Sequence, residues 1–173
     1  MSEQFLTLMA DLDEESQKLM AGWYASLKEA GFTGSQSPEV PYHISLMTFA
    51  SDQQARALET MYEAAEQFAP IPVYVSHIGV FAGGRVLFAA PESNPQLEKL
   101  RAACGPQAPQ MYPWIPHITL LMDETENVCA ALSVLVKSFR PFLGWITRLQ
   151  VCSFWPMQEI AAIDLIEEAP AEN

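Results

Sequence analysis

Two stretches, PYHISLM at 41–47 and IPHITLL at 115–121, are versions of one pattern. Each contains a histidine, an apolar residue and a hydroxyl-bearing residue in succession, within a run of aliphatic residues. Such a run is typical of a β-strand. Each is followed by an amphipathic segment that ends in Phe-x-Pro, at 68–70 and at 139–141, and then by a predicted β-hairpin. The chain therefore contains an internal repeat of strand, helix and hairpin.

The remaining segments complete the set of expected elements. A first strand is predicted over Gln4–Ala10, and Asp11 is expected to cap a helix that ends near Gly31. The other expected strands are Tyr42–Phe49, Val73–Phe81, Arg85–Ala90, Ile115–Met122, Trp145–Phe154 and Glu159–Ile166. The other expected helices begin at Ser51, Pro95 and Asp123 and end at Phe68, Ala103 and Phe139.

This order predicts an α+β fold in a single domain, residues 1–173, made of two intertwined lobes. Because the two halves repeat, we expect the lobes to be related by a pseudo-twofold axis. Two antiparallel sheets are expected to line a central groove, with helices on the outer faces.

The repeated motif also carries the expected chemistry. Residues i and i+2 of a strand share a face, so His43 and Ser45 point one way, and so do His117 and Thr119. In lobes related by a twofold axis, the two pairs face each other across the groove. Such a site has two imidazoles that can serve as acid and base, and two hydroxyls that can donate to anionic oxygen.

Composition limits the partners and the compartment. The net charge of −12 repels polyanions, so binding of long nucleic acid is not expected. The three cysteines show no Cys-x-x-Cys spacing, which suits a reducing compartment. The first residues lack a signal-peptide pattern and no apolar run reaches membrane-spanning length, so a soluble, cytoplasmic protein is expected. The histidines have no zinc-binding spacing, and we expect neither a metal nor a cofactor.

Five further side chains are candidates for a functional role. Tyr112 and Trp114, just before the second motif, either stack on a nucleobase at the groove rim or pack against their own lobe. Arg85 either touches phosphate or is a solvated surface residue. His77 has no hydroxyl residue two positions later and is predicted to lack a catalytic role. Cys152 is predicted to be a small buried side chain rather than a nucleophile.

Paired His-x-Ser/Thr motifs in a repeated α+β chain resemble the 2H phosphoesterase superfamily, which includes the 2′-5′ RNA ligase-like and RNA cyclic phosphodiesterase proteins. The resemblance extends from Phe5 to Ile166. It implies a metal-independent phosphodiesterase acting on 2′,3′-cyclic or 2′-5′ linked phosphates of nucleotides or RNA ends. By motif position it makes His43 and His117 the catalytic pair, and Ser45 and Thr119 the phosphate-binding residues.

Two classes of function remain open on this reading. The first is the hydrolytic enzyme, and the second is a non-catalytic module that uses the same groove to bind a nucleotide or an RNA end. Pure binding does not require both imidazoles, and this favours the enzyme. The motifs do not say which histidine is the general base.

Overall fold

Two runs of strand, helix and hairpin make up most of the molecule. The computed structural model describes residues 4–36, 39–106 and 113–166. The elements are β1 (Phe5–Leu12), α1 (Glu14–Glu29), β2 (His43–Ala50), α2 (Gln54–Gln67), β3 (Ile71–Val80), β4 (Val86–Pro91), α3 (Pro95–Ala103), β5 (Ile118–Met122), α4 (Thr125–Ser138), β6 (Phe142–Phe154) and β7 (Gln158–Asp164). The order β2-α2-β3-β4 is thus repeated by β5-α4-β6-β7, as the motif pattern predicts.

The strands form one antiparallel sheet in the order β2-β1-β6-β3-β4-β5, and β7 also pairs with β6. The beginning of β6, from Phe142 to Ile146, pairs with β3, and its later residues pair with β1 and β7. The α+β class is confirmed. A division into two separate sheets is not confirmed, because β6 runs through both halves and hydrogen-bonds to strands of each.

The two faces of the sheet differ in what covers them. In β1, Leu6, Leu8 and Ala10 join the main core, which also takes in buried residues from all four helices. The alternate residue Met9 points the other way and packs in a small second cluster with Cys152. The helices therefore cover one face, and the other face is left for a groove.

The start of α1 differs from the expectation. Asp11 was expected to cap this helix, but it lies within β1, where it is the ladder partner of both His43 and Arg148. The strand continues for two residues beyond its predicted end, and Asp13 is the N-cap instead. One carboxylate oxygen of Asp13 accepts from the Ser16 amide at 2.9 Å.

The second motif strand is shorter than expected. It begins at Ile118 rather than Ile115, so His117 immediately precedes the regular strand. The following helix begins at Thr125 with Glu124 as its N-cap, whereas Asp123 was the expected cap. Asp123 still accepts hydrogen bonds at this helix start, from the Glu124 amide at 2.7 Å and from Asn127 Nδ2 at 3.0 Å.

Among the described residues, no helix combines the length and the apolar composition needed to cross a membrane.

Asp13 also joins α1 to the sheet, because its second carboxylate oxygen accepts from Ser16 Oγ and from the Trp145 amide in β6. We expect Asp13→Ala to lower the free energy of unfolding by about 1–2 kcal/mol, since it removes the helix cap and this tie together. Urea denaturation followed by circular dichroism measures the change. Asp52→Ala, at an exposed aspartate in the 3-10 turn before α2, is the control and should change stability by less than about 0.5 kcal/mol. Equal effects in the two variants would contradict this role of Asp13.

Candidate active site

The strands that carry the two motifs are the two ends of the sheet order, yet they lie close together. Cα atoms of β2 and β5 approach within 8 Å, although the two strands are not a hydrogen-bonded pair. The indole N–H of Trp114 donates to the carbonyl of Ser45 at 3.0 Å across this gap. The amide of Ser35 donates to the carbonyl of Met122 at the other end of β5, at 2.7 Å. The sheet therefore curves until its edges meet, and this brings the two motifs to one place.

Both motif histidines are held in the same way. His43 Nδ1 lies 2.7 Å from the carbonyl oxygen of Pro41, and His117 Nδ1 lies 2.8 Å from that of Ile115. In each case the acceptor is the carbonyl two residues earlier. A carbonyl oxygen only accepts, so each Nδ1 must carry the hydrogen. The Nε2 atoms are left as the nitrogens available for proton transfer.

Burial disfavours the charged form of both rings. The pKa of His43 falls to about 4, mainly because of burial, and a positive charge on nearby His117 lowers it further. The carbonyl of Pro41 partly opposes this fall. Burial also lowers the pKa of His117, again opposed by its backbone hydrogen bond. The free site therefore favours neutral imidazoles, most strongly at His43.

A cavity of about 360 Å³ opens at the first motif. Three of the four motif residues line it: His43 and Ser45 on β2, and Thr119 on β5. Its wall is rich in aromatic side chains, namely Phe5, Tyr24, Tyr42, Phe154 and Trp155. The cavity thus combines one imidazole and two hydroxyls with a large apolar surface, which is the composition of a small-molecule site.

The fourth motif residue, His117, lies against two phenylalanines rather than in the cavity wall. Its ring meets that of Phe81 at 4.7 Å and that of Phe88 at 5.6 Å between centroids, both edge to face. Gly79 makes room for this arrangement, because a Cβ there would lie 2.7 Å from the Phe88 ring. The two phenylalanine rings thus pack against the imidazole.

The other candidates near the second motif have structural partners. Trp114 is half-buried and hydrogen-bonds to Ser45, so the structure places it in packing between the motif strands. Arg85 is exposed and forms an ion pair with Glu124, and neither residue lines the cavity. Tyr112 lies outside the described residues.

The remaining two candidates do not line the cavity. His77 is exposed on β3, and its Nδ1 lies 2.8 Å from Ser76 Oγ. Cys152 is buried on β6, and its thiol donates to Gln150 Oε1 at 3.2 Å. Burial, with the negative charge of Asp11, raises the pKa of Cys152 to about 12, which opposes formation of a thiolate nucleophile. Across residues 4–36, 39–106 and 113–166, no three His, Cys, Asp or Glu side chains are grouped as metal ligands.

Sequence reasoning missed a buried polar pair beside His43. Asp11, 5% exposed, is the ladder partner of His43, and its Oδ2 accepts from Gln150 Nε2 at 2.6 Å. The other carboxylate oxygen is buried with no hydrogen-bond partner in the described structure. Burial raises the pKa of Asp11 to about 7. The alternation of Thr7, Met9 and Asp11 with aliphatic residues was the available signal, because it places the aspartate on the groove face.

Comparison with known proteins agrees with this fold. A sequence profile described as the 2′-5′ RNA ligase superfamily matches residues 13–154. A search of curated proteins by sequence finds no match.

Solved structures match over nearly the whole chain. TT0787 of Thermus thermophilus is 16% identical, with a TM-score of 0.64 and coverage of 95% of this chain and 100% of that one. E. coli LigT complexed with phosphate is 19% identical, with a TM-score of 0.60 and coverage of 96% and 100%. A phosphoesterase is 16% identical, with a TM-score of 0.63 and coverage of 95% and 99%.

The chain belongs to the 2′-5′ RNA ligase superfamily, within the 2H phosphoesterases. Membership indicates processing of phosphodiesters or cyclic phosphates, in a superfamily whose members are generally enzymes. The particular reaction and substrate do not follow from it.

The buried carboxyl of Asp11 predicts a specific pH dependence of stability. Between its ordinary pKa of 3.8 and about 7, the unfolded chain loses the Asp11 proton while the folded protein keeps it. Stability therefore falls as pH rises through this window. We expect the difference in free energy of unfolding between Asp11→Asn and the unsubstituted protein to shift in favour of the variant by about 2–4 kcal/mol as pH rises from 4 to 7. Above pH 7 this difference should stay constant.

Urea denaturation at several pH values measures this difference. Asp52→Asn, at an exposed site, controls for the loss of one negative charge from a protein of net charge −12. A stability difference between Asp11→Asn and the unsubstituted protein that is independent of pH would show that Asp11 is already ionised in the folded state at low pH.

Proposed function

We propose that this protein is a metal-independent phosphodiesterase that hydrolyses a 2′,3′-cyclic phosphate or a 2′-5′ linkage in a nucleotide or at an RNA end. The observation that carries the proposal is the equivalent setting of His43 and His117. Each ring is fixed through Nδ1 to the carbonyl two residues earlier, and each precedes a hydroxyl residue by two positions. A site that only bound a ligand would have no need for two Nε2 atoms prepared for proton transfer.

We assign the roles in hydrolysis on the basis of the difference between the two histidine environments. His43 has the lower tendency to hold a proton, so it starts neutral and accepts the proton of the attacking water at Nε2. The water oxygen bonds to phosphorus as the bond from phosphorus to the leaving ribose oxygen breaks. His117, starting protonated, donates its Nε2 proton to that oxygen. Each turnover leaves His43 protonated and His117 neutral. Proton exchange with the solvent then restores the starting state of both rings.

Ser45 and Thr119 supply the remaining polar groups of this mechanism. Both line the cavity, which supports the proposal that their hydroxyls donate to the non-bridging oxygens as negative charge develops on them. The solved structures of LigT complexed with phosphate, with ATP and with 3′-AMP support a phosphate or nucleotide ligand for this fold. The net charge of −12 favours a mononucleotide or a short RNA end over a long polyanion.

Replacing either motif histidine tests the proposal. We expect His43→Ala and His117→Ala each to lower kcat on nucleoside 2′,3′-cyclic phosphates by about 10²–10⁴-fold, because each removes one proton-transfer group. Chromatographic separation of the cyclic substrate from its monophosphate product measures turnover. His77→Ala, at an exposed strand histidine, is the matched control and should keep full activity.

The same assay separates the competing functions. Full activity in the presence of EDTA is expected for this mechanism. Loss of activity in EDTA would indicate a metal-dependent hydrolase. Binding of the cyclic nucleotide and of a 2′-5′-linked dinucleotide by the unsubstituted protein, without turnover of either, would indicate a binding module. Unchanged turnover in either motif-histidine variant would remove the two-histidine mechanism.

The lowered histidine pKa values predict an acidic optimum for the free enzyme. The active form has neutral His43 and protonated His117. Activity should therefore fall below about pH 4, as His43 gains a proton, and fall again as pH rises through the pKa of His117, which lies below its ordinary 6.5. We expect the pH profile of kcat/KM to be bell-shaped with a maximum below pH 6.5. The profile of kcat should peak at higher pH, because a bound phosphate anion stabilises both imidazolium ions and so raises their pKa values. A kcat/KM that still rises above pH 8 would contradict these roles.

A further inference from the structure

An aromatic wall borders the cavity on the side of β1 and β6. We define it as Phe5, Phe154 and Trp155, all of which line the cavity together with His43 and Ser45. The rings of Phe5 and Phe154 stack with centroids 5.4 Å apart, and Phe154 meets Trp155 edge to face at 4.9 Å. The three rings thus form one continuous surface next to the motif residues.

The exposure of these rings is graded. Phe154 is 7% exposed, whereas Trp155 is 41% exposed although it is the largest apolar side chain of the wall. Phe154 is backed by the small cluster that includes Met9 and Cys152, so it is fixed from behind. The indole of Trp155 therefore contacts the Phe154 ring and keeps a large part of its surface exposed beside the cavity. This is the arrangement of a stacking platform rather than of a core residue.

The aromatic wall and the motif hydroxyls lie at different positions along the strands. Ser45 is the ladder partner of Met9, and Phe5 of β1 lies four residues further along the strand, a rise of about 13 Å. The wall and the hydroxyls of Ser45 and Thr119 thus occupy separate positions along one cavity. The cavity is nevertheless continuous between them and is large enough for a small-molecule ligand.

We propose that the aromatic wall binds the nucleobase of the substrate, with Trp155 stacking on the face of the base. The inference rests on the proposed phosphodiesterase function and names the part of the substrate that gives affinity. Phe154 and Phe5 are positioning residues that fix the plane of the indole. Stacking on a ring is tolerant of base identity, so the wall selects nucleotides over base-free phosphate esters rather than one base over another.

Two substrates separate the phosphate from the base. One is adenosine 2′,3′-cyclic phosphate, and the other is 1-O-methyl-ribose 2,3-cyclic phosphate, which has the same reacting group and no base. For Trp155→Ala we expect KM for the adenosine substrate to rise about 5- to 100-fold with kcat within about twofold. The kinetics of the base-free substrate should stay unchanged.

The chain offers a matched control at a second tryptophan of similar exposure. Trp145 lies on β6, is 42% exposed and does not line the cavity. Trp145→Ala should therefore leave the kinetics of both substrates unchanged. Trp155→Phe keeps a stacking face and should retain most of the affinity, whereas Trp155→Leu keeps only apolar bulk and should behave like Trp155→Ala. If Trp155→Ala does not fold by circular dichroism, the Phe and Leu variants carry the comparison.

The outcomes distinguish this inference from the proposed function. Turnover of both substrates, with equal effects of the Trp155 substitutions on each, would overturn the aromatic wall and leave the phosphodiesterase in place. No turnover of either substrate would remove the cyclic phosphodiesterase reaction. Calorimetric titration with adenosine 3′-monophosphate then tests the wall alone: weaker binding by Trp155→Ala supports it, and equal binding by the unsubstituted protein and Trp155→Ala overturns it.

Discussion

The meeting of the two outer strands, β2 and β5, is the constraint on which the site depends. Five strand intervals separate them in the order of the sheet, which in a flat sheet would be about 24 Å. Curvature reduces this to less than 8 Å between Cα atoms. The hydrogen bond from Trp114 to Ser45 bridges the two edges of the sheet at the first motif. A second hydrogen bond, from Ser35 to Met122, is made at the far end of β5. Without this closure the two motifs would lie at opposite ends of the sheet.

Burial then sets the electrostatics of the groove. It lowers the pKa of both histidines and raises that of Asp11, so the free groove favours neutral side chains in spite of the large net negative charge of the chain. In the proposed function, a groove that carries little charge of its own would admit the phosphate without direct repulsion, and the arriving anion would restore the charged imidazolium that proton donation requires. The aromatic wall adds an apolar surface to the same cavity that the motif residues line.

Most elements were predictable because their signals are local. The strand-helix-hairpin repeat follows from periodicity and from the Phe-x-Pro ends of α2 and α4. Errors occurred where two local signals competed. Asp11 and Asp13 both suit a helix cap, and the ladder pairing of Asp11 with His43 and with Arg148 keeps the first of them in the strand. The expectation of two sheets failed for a related reason: nothing in the residues of β6 reveals that one strand pairs with partners from both halves.

The motif residues and their shared strand faces could be read from the amino-acid order, because alternation along a strand is a local property. Which residues meet across the groove could not, since that depends on the curvature of the whole sheet. Trp155 is remote in sequence from both motifs, and Asp11 lies 32 residues from His43 by number. Only the tertiary structure brings Trp155 into the cavity that His43 lines and Asp11 next to His43 in the sheet. The contacts responsible join strands that are far apart in the sequence.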